Sequence, residues 1–391
     1  MYFLQQFGDH LIKVTESTPE SDSVLRPAAS VFTSFDLNVN GSEHINHYTY
    51  DENLDNYIPC GSTLPNQDTL EKIQSDFYKY MESDDHDQHD NKIYEIEVYW
   101  HDFFPSADQF LDESLVHEQI QILNDAYAGN AHMSKFPNDC NGNRVPPGLD
   151  TGIRFVLKKT FRNYCDTDDS TLARNSMEER KMKRLSRKGD CTTLNIYSGM
   201  TRGYLGWASY PWDCKGNKVD DGVVIHRATL PGDGTKNYSD GDILVHEVGH
   251  WLGLFHTFGE DSGSCSPGDF VNDTPPLRTA TTGCPTYSDT CGLDKNTDPV
   301  HNFMDYSYNC CMYEFTKGQI ERMSYMAERF RLLSSSSSSD GYYLADDYYA
   351  DDDDFDDFFD DDIIYDNDGD NPTQMCFCVW ILCYGCGTCY M

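Results

Sequence analysis

The sequence predicts an α/β domain with a mixed sheet, set between a polar N-terminal segment and an acidic C-terminal tail. Three observations carry that prediction. Strand-like and helix-like stretches alternate from residue 92 to residue 230, and a histidine-bearing helix follows at HEVGHWLGLFH, His246 to His256. After Leu333 the composition changes abruptly to a serine run and then an acidic tract.

Lys92 to Trp100 (KIYEIEVYW) alternates apolar and polar residues, the period of a half-buried strand. Leu115 to Tyr127 sets Val116, Ile120, Leu123 and Ala126 at helical spacing. Gly152 to Lys158 reads as a second strand, and Ser176 to Leu185 as a charged helix. Lys181, Lys183, Arg184 and Arg187 are expected on its solvated face. Leu194 to Tyr197 and Gly222 to His226 supply a third and a fourth strand. Ser239 or Asp240 is the expected N-cap of the next helix, which runs to Leu252. Its core side is Val245, Val248, Trp251 and Leu252. From residue 259 to 290 the Gly, Pro and Thr content indicates loops, and a closing helix is expected at Thr316 to Leu333. Such loops need staples, and Cys265, Cys284, Cys291, Cys310 and Cys311 lie among them; Cys140, Cys165, Cys191 and Cys214 are available upstream.

Residues 1–91 are polar with little periodicity and are expected to be disordered. Their pointed feature is Cys60-Gly61. Ser83 to Asp90 (SDDHDQHD) reads as a solvated linker rather than a metal site at His86 and His89. Residues 334–391 begin with Ser334 to Ser339, and Asp340 to Asp370 holds fifteen acidic residues and no Lys or Arg. That tract is also expected to be disordered. Five cysteines close the chain in QMCFCVWILCYGCGTCYM, a stretch too short to span a bilayer.

A formal net charge of −37 repels phosphates and excludes nucleic acid as a partner. Fifteen cysteines fit disulfides in an exported protein, and sequons at Asn40, Asn237 and Asn272 are compatible with export. The opening MYFLQQFGDHLIKV lacks the basic and apolar regions of a signal peptide, so a start upstream of Met1 is expected. No stretch is long and apolar enough for a transmembrane helix.

The chemistry concentrates in His246 to His256. Residues four apart share one helix face, so His246 and His250 can hold one metal ion. Gly253 lets the backbone leave the helix, and His256 becomes a third nitrogen ligand. Three imidazoles with an open fourth position suit a catalytic zinc. Glu247, beside the first ligand, is the candidate general base for water at that metal. A buried helix that merely contains histidines explains the spacing less well.

HEVGHWLGLFH matches the extended HExxHxxGxxH signature, and NFMDYSYNCC at Asn302 to Cys311 resembles the methionine turn that accompanies it in the metzincin metalloproteases. GDFVNDTP (Gly268 to Pro275), GCP (Gly283 to Pro285), DTC (Asp289 to Cys291) and FTKGQIERM (Phe315 to Met323) resemble the pappalysin-like secreted branch, as do LNIYS (Leu194 to Ser198) and DGVVIHRATLPG (Asp221 to Gly232). The resemblance implies a metzincin-like two-lobed catalytic domain at residues 92–333, behind a pro-segment at 1–91 and before a tail at 334–391. It implies a secreted zinc endopeptidase acting on proteins or peptides, with His246, His250 and His256 as ligands and Glu247 as base. Tyr306 would lean toward the oxyanion, and Met304 would floor the ligands. Cys60 would close the open metal position as a cysteine switch. Val223 to Arg227 would be the strand that pairs with extended substrate. The implied bridges are Cys265–Cys291 and Cys284–Cys311, with Cys310 left over, while Asp269, Asp273 and Thr274 read either as a simple turn or as calcium candidates. Two rival classes are a catalytically silent zinc-bound interaction module and an acidic calcium- or matrix-associated protein; the intact Glu247 argues against the first.

Overall fold

The computed structural model describes residues 54–83, 92–104, 109–131, 137–164, 171–232, 234–259, 263–266, 268–292 and 297–332, with two short strands near the N-terminus. Those strands, β1 (Gln6–Phe7) and β2 (His10–Leu11), pair antiparallel within a unit of residues 1–46. Everything below belongs to the second unit, residues 47–391. The expected linker after Ser83, the acidic tail, Cys165 and the C-terminal cysteines lie outside the described residues.

In chain order the second unit contains β3 (Ile58–Cys60), α1 (Gln67–Met81), β4 (Tyr94–Phe104), α2 (Glu113–Tyr127), β5 (Ile153–Tyr164), β6 (Thr171–Leu172), α3 (Met177–Ser186), β7 (Leu194–Thr201), β8 (Tyr204–Ala208), β9 (Val223–His226), α4 (Asp242–Trp251) and α5 (Lys317–Met326). The sheet order is β3-β8-β9-β7-β4-β5, with β6 paired to β7. Strands β5, β4, β7 and β9 are mutually parallel, while β8 runs antiparallel to β9. Parallel neighbours need crossovers, and α2 supplies one between β4 and β5. The parallel strands are covered, which is why β9 (VVIH) is buried at all four positions. Val116, Ile120 and Leu123 of α2 meet Val245, Val248 and Trp251 of α4 in the main core. Tyr127 also donates from its hydroxyl to the Val245 carbonyl at 3.3 Å.

Several expectations need correction. The expected disorder of the N-terminal segment does not hold for residues 54–83. There α1 is a 15-residue helix capped by Asn66, whose side chain accepts from Thr69 N. Leu70, Ile73 and Phe77 bury its inner face against Tyr210, Trp212, Phe255, Tyr325, Met326 and Phe330. Burial of that face stabilises docking by roughly 1.5–3 kcal/mol per large side chain. Lys183 is not solvated: it is 3% exposed, pairs with Glu179 at 2.8 Å and donates to the Asp220 carbonyl. Arg187 likewise turns inward to Asp221, while Lys181 and Arg184 are exposed as expected. The reason is periodic, since Glu179, Met182, Lys183 and Ser186 share the buried face of α3.

The N-cap of α4 is Gly241, at φ 97°, rather than Ser239 or Asp240. A side chain at Gly241 would meet the Gln119 amide at 2.9 Å, the group that donates to the Gly241 carbonyl. The strand at the sheet edge is also different. Val223 to Arg227 does not edge the sheet; β9 has β7 on one side and β8 on the other. One edge of the domain's own sheet is β8, β5 being the other, and β3 has added itself to β8 in parallel.

The bridges Cys265–Cys291 and Cys284–Cys311 are present, as is Cys191–Cys214. Cys310 is not left over, because it bonds Cys140. The vicinal pair Cys310–Cys311 therefore ties two separate loops to the segment after Met304.

Candidate active site

Helix α4 sets His246 and His250 one turn apart, both buried. The chain then reverses at Gly253, at φ 91°, where a Cβ would also strike Met326 Cγ at 2.7 Å. The reversal returns His256 to the same point. His250 Nε2 lies 3.2 Å from His246 Nε2 and 3.1 Å from His256 Nε2. Nitrogens about 2.05 Å from a shared tetrahedral zinc sit about 3.3 Å apart, so the donor set fits that ion. His246 Nδ1 donates to the Phe303 carbonyl at 2.6 Å and His250 Nδ1 to the Leu254 carbonyl at 2.8 Å. These bonds fix the tautomer that turns both Nε2 lone pairs inward. Burial drives the His246 pKa down to about 3 and that of His250 well below its usual value, which keeps both rings neutral as ligands must be.

Met304 lies beneath the ligands, fully buried. A Cβ on Gly249 would come within 2.5 Å of its sulfur, so the small residue inside the histidine motif is what admits the methionine. The Met304 carbonyl accepts from Thr257 N at 3.2 Å and ties the turn to the third ligand.

Glu247 is fully buried, and burial pushes its pKa up to about 8. Its Oε2 accepts from Cys60 Sγ and from Ser62 Oγ, each at 3.3 Å. Gly206 of β8 makes room, since a Cβ there would meet Glu247 Cγ at 2.9 Å. Tyr306 has its ring centroid 5.8 Å from that of His246 and 5.1 Å from that of His256, and its hydroxyl donates to the Cys60 carbonyl at 3.0 Å.

The sulfur of Cys60 and one ligand atom from each of the three histidines all lie within 4.8 Å of one another. The backbone holds Cys60 there: Ile58 N donates to Gly203 O, and Gly61 N to Gly206 O at 2.8 Å. His246, Glu247, His250, His256, Met304, Tyr306 and Cys60 thus come together as the sequence predicts. Asp269 and Asp273 do not join them. Asp269 accepts from Val271 N and Gln319 Nε2, and Asp273 accepts from Thr316 Oγ1 and Gly318 N at the start of α5. His226 is a buried cap, its Nδ1 accepting from Ala228 N. Ser62, Gly206, Gly249 and Tyr210, whose hydroxyl is 3.4 Å from His250 Nδ1, were missed by sequence reasoning. Only Gly249, inside the motif, carried a local signal.

The peptidase family model described as Pregnancy-associated plasma protein-A matches residues 193–328. An extracellular metalloprotease of Pyricularia oryzae is 38% identical over 226 residues, covering 57% of this chain and 70% of that protein. Extracellular metalloprotease 1 of Coccidioides posadasii is 35% identical over 245 residues, covering 61% and 78%. The chain belongs to the pappalysin family of metalloproteases. Among solved structures, a Tannerella forsythia promirolysin mutant superposes with a TM-score of 0.57 at 27% identity, covering 70% of this chain and 95% of that one. Mirolysin in complex with a compound gives 0.53 at 29% identity, covering 61% and 93%. As a pappalysin-type metalloprotease, the chain shares the metzincin fold, and the histidine cluster just described is its candidate metal site. Among the described residues no helix is long and apolar enough to cross a membrane.

Proposed function

We propose that the protein is a secreted zinc endopeptidase, made as a latent precursor, that hydrolyses peptide bonds with Glu247 as general base. The observation that carries this reading is the convergence of three Nε2 atoms on one point, with the Glu247 carboxyl next to it. Secretion is supported by the relatives named extracellular metalloproteases and by the four disulfides among the described residues.

His246, His250 and His256 would hold the zinc. A bound zinc supplies Lewis acidity to the substrate carbonyl and brings the pKa of its water toward neutrality. Glu247 takes a proton from the attacking water as its oxygen bonds to the scissile carbon. The same carboxyl then hands that proton to the amine nitrogen as the C–N bond breaks. Tyr306 donates its hydroxyl hydrogen bond to the carbonyl oxygen as negative charge grows there, in place of the Cys60 carbonyl it holds in the precursor. Strand β8 offers its free edge to an extended peptide once β3 has left. In the precursor, β3 fills that edge and Cys60 fills the open metal position.

The test is a processed enzyme compared with its Glu247→Ala variant on denatured casein, with metal content measured for both. Loss of cleavage with metal retained supports the reading. Equal cleavage by the two proteins refutes Glu247 as the base.

A further inference from the structure

A cavity of about 500 Å³ opens beside Thr63, three residues after Cys60, between the pro-segment and the catalytic domain. Pro-segment residues 63–66 form part of its wall, opposite three cations, Arg174, Arg180 and Lys183. Two of these are matched: Lys183 Nζ lies 2.8 Å from Glu179, and Arg180 Nε lies 3.7 Å from Asp220. Asp213, the other acid of the lining, is drawn by Arg331 and by a backbone hydrogen bond from Tyr210. Arg174 has no carboxylate within 4.0 Å among the described residues. What it has is the Thr63 hydroxyl, 3.1 Å from its Nη2. Its aliphatic stem lies along the pro-segment backbone, where a Cβ on Gly61 would meet Arg174 Cδ at 3.1 Å and the Tyr204 ring at 3.0 Å. The guanidinium is therefore held against the chain that occupies the edge of β8, three residues beyond the thiol at the metal site. When that chain leaves, a cation without a salt bridge faces the groove, its field still reaching the buried Glu247 carboxyl, whose burial-raised pKa it lowers.

We propose that Arg174 is a specificity-determining residue of the mature enzyme, favouring an acidic side chain two to four residues on the N-terminal side of the cut bond. This deepens the endopeptidase reading and rests on it. The distance follows from register: Cys60 faces the metal site, Thr63 faces Arg174, and an extended chain rises about 3.3 Å per residue. The side follows from polarity. The pro-segment runs parallel to β8, from Ile58 beside Tyr204 to Cys60 beside Gly206. Antiparallel pairing is the more stable geometry for a peptide free to choose, and it brings the N-terminal side of the substrate to the Ala208 end, where Arg174 sits. A carboxylate there accepts a charge-assisted bond from the guanidinium where the pro-segment offers only a hydroxyl.

The test is a proteome digest by the processed enzyme, followed by kcat/KM for peptide pairs that differ as Asp against Asn at the enriched position. Wild type should prefer Asp by roughly two- to fivefold, the scale of a partly exposed ion pair. Arg174→Lys should keep part of the preference, Arg174→Ala should bring the ratio near one, and Arg174→Glu should turn the preference toward Lys. No acidic preference in wild type, or one unchanged in Arg174→Glu, overturns the proposal. A wild type as silent as Glu247→Ala would instead sink the endopeptidase reading beneath it.

Discussion

The Cys60 thiol lies 3.3 Å from Glu247 Oε2 and within 4.8 Å of a ring nitrogen of each of His246, His250 and His256. One side chain of the proposed pro-segment thus reaches both the proposed metal position and the Glu247 carboxyl, and Ser62 adds a second donor to the same oxygen.

Cys60→Ser therefore bears on latency. A hydroxyl is a far weaker zinc ligand than a thiolate, while the strand pairing and the Tyr306 bond to the residue-60 carbonyl should persist. The unprocessed variant should leak activity on casein at about ten times the level of the wild-type precursor or more. A variant precursor as quiet as wild type would mean that the bulk of β3, and not sulfur, closes the cleft.

Docking of α1 gives a second prediction. Phe77 is 4% exposed, and its ring lies 5.2 Å from the buried Arg322 guanidinium, whose Nη1 also donates to Gln74 Oε1 at 2.6 Å. Phe77→Ala should weaken the docked helix by roughly 3–5 kcal/mol. Faster digestion of α1 by a second protease, with the catalytic domain left intact, is the expected outcome. Unchanged protection of the helix would contradict the packing.

Much of this was legible in the sequence, for definable reasons. The histidine helix declares itself because i, i+4 spacing is a covalent property of the chain, and β4 and α2 because their apolar periods match one buried face. Strand β8 did not, because YLGWA carries Gly206 at its centre, a residue that weakens strand signals and is there to clear Glu247. Helix α1 was hidden by a polar composition, although Leu70, Ile73 and Phe77 do sit at helical spacing. The inward turn of Lys183 follows from its i−4 partner Glu179, and no composition rule reports which face of a charged helix is buried. The Cys140–Cys310 bridge spans 170 residues, a pairing that cysteine arithmetic leaves open.

Gly249 gives a third prediction. Its substitution by alanine would put a Cβ only 2.5 Å from the Met304 sulfur. Gly249→Ala should cost roughly 1–3 kcal/mol of stability through overpacking and lower zinc occupancy as the ligand helix shifts. Adding Met304→Ala should recover part of the lost Tm, because the two sites are in contact and couple. Strictly additive losses would remove the proposed contact.

Asp269 gives a pH dependence. Burial pushes its pKa up to about 7 from a model-peptide value near 3.9. A carboxyl raised in the folded state stabilises fully below the unfolded pKa, and that contribution is lost as pH rises through the folded one. Between pH 5 and pH 8, wild type should therefore lose up to about 3 kcal/mol relative to Asp269→Asn. Urea midpoints of both proteins across that range check the sign, and a difference that stays flat or runs the other way would contradict it.

Under the proposed function, His246, His250 and His256 together hold one catalytic zinc. The most direct measurement is the metal content of the processed protein, taken together with casein cleavage before and after chelation, for wild type and His256→Ala. Wild type should carry about one zinc per chain and lose activity on chelation, regaining it with zinc, and the variant should show both occupancy and activity reduced. Full zinc and full activity in His256→Ala would contradict it.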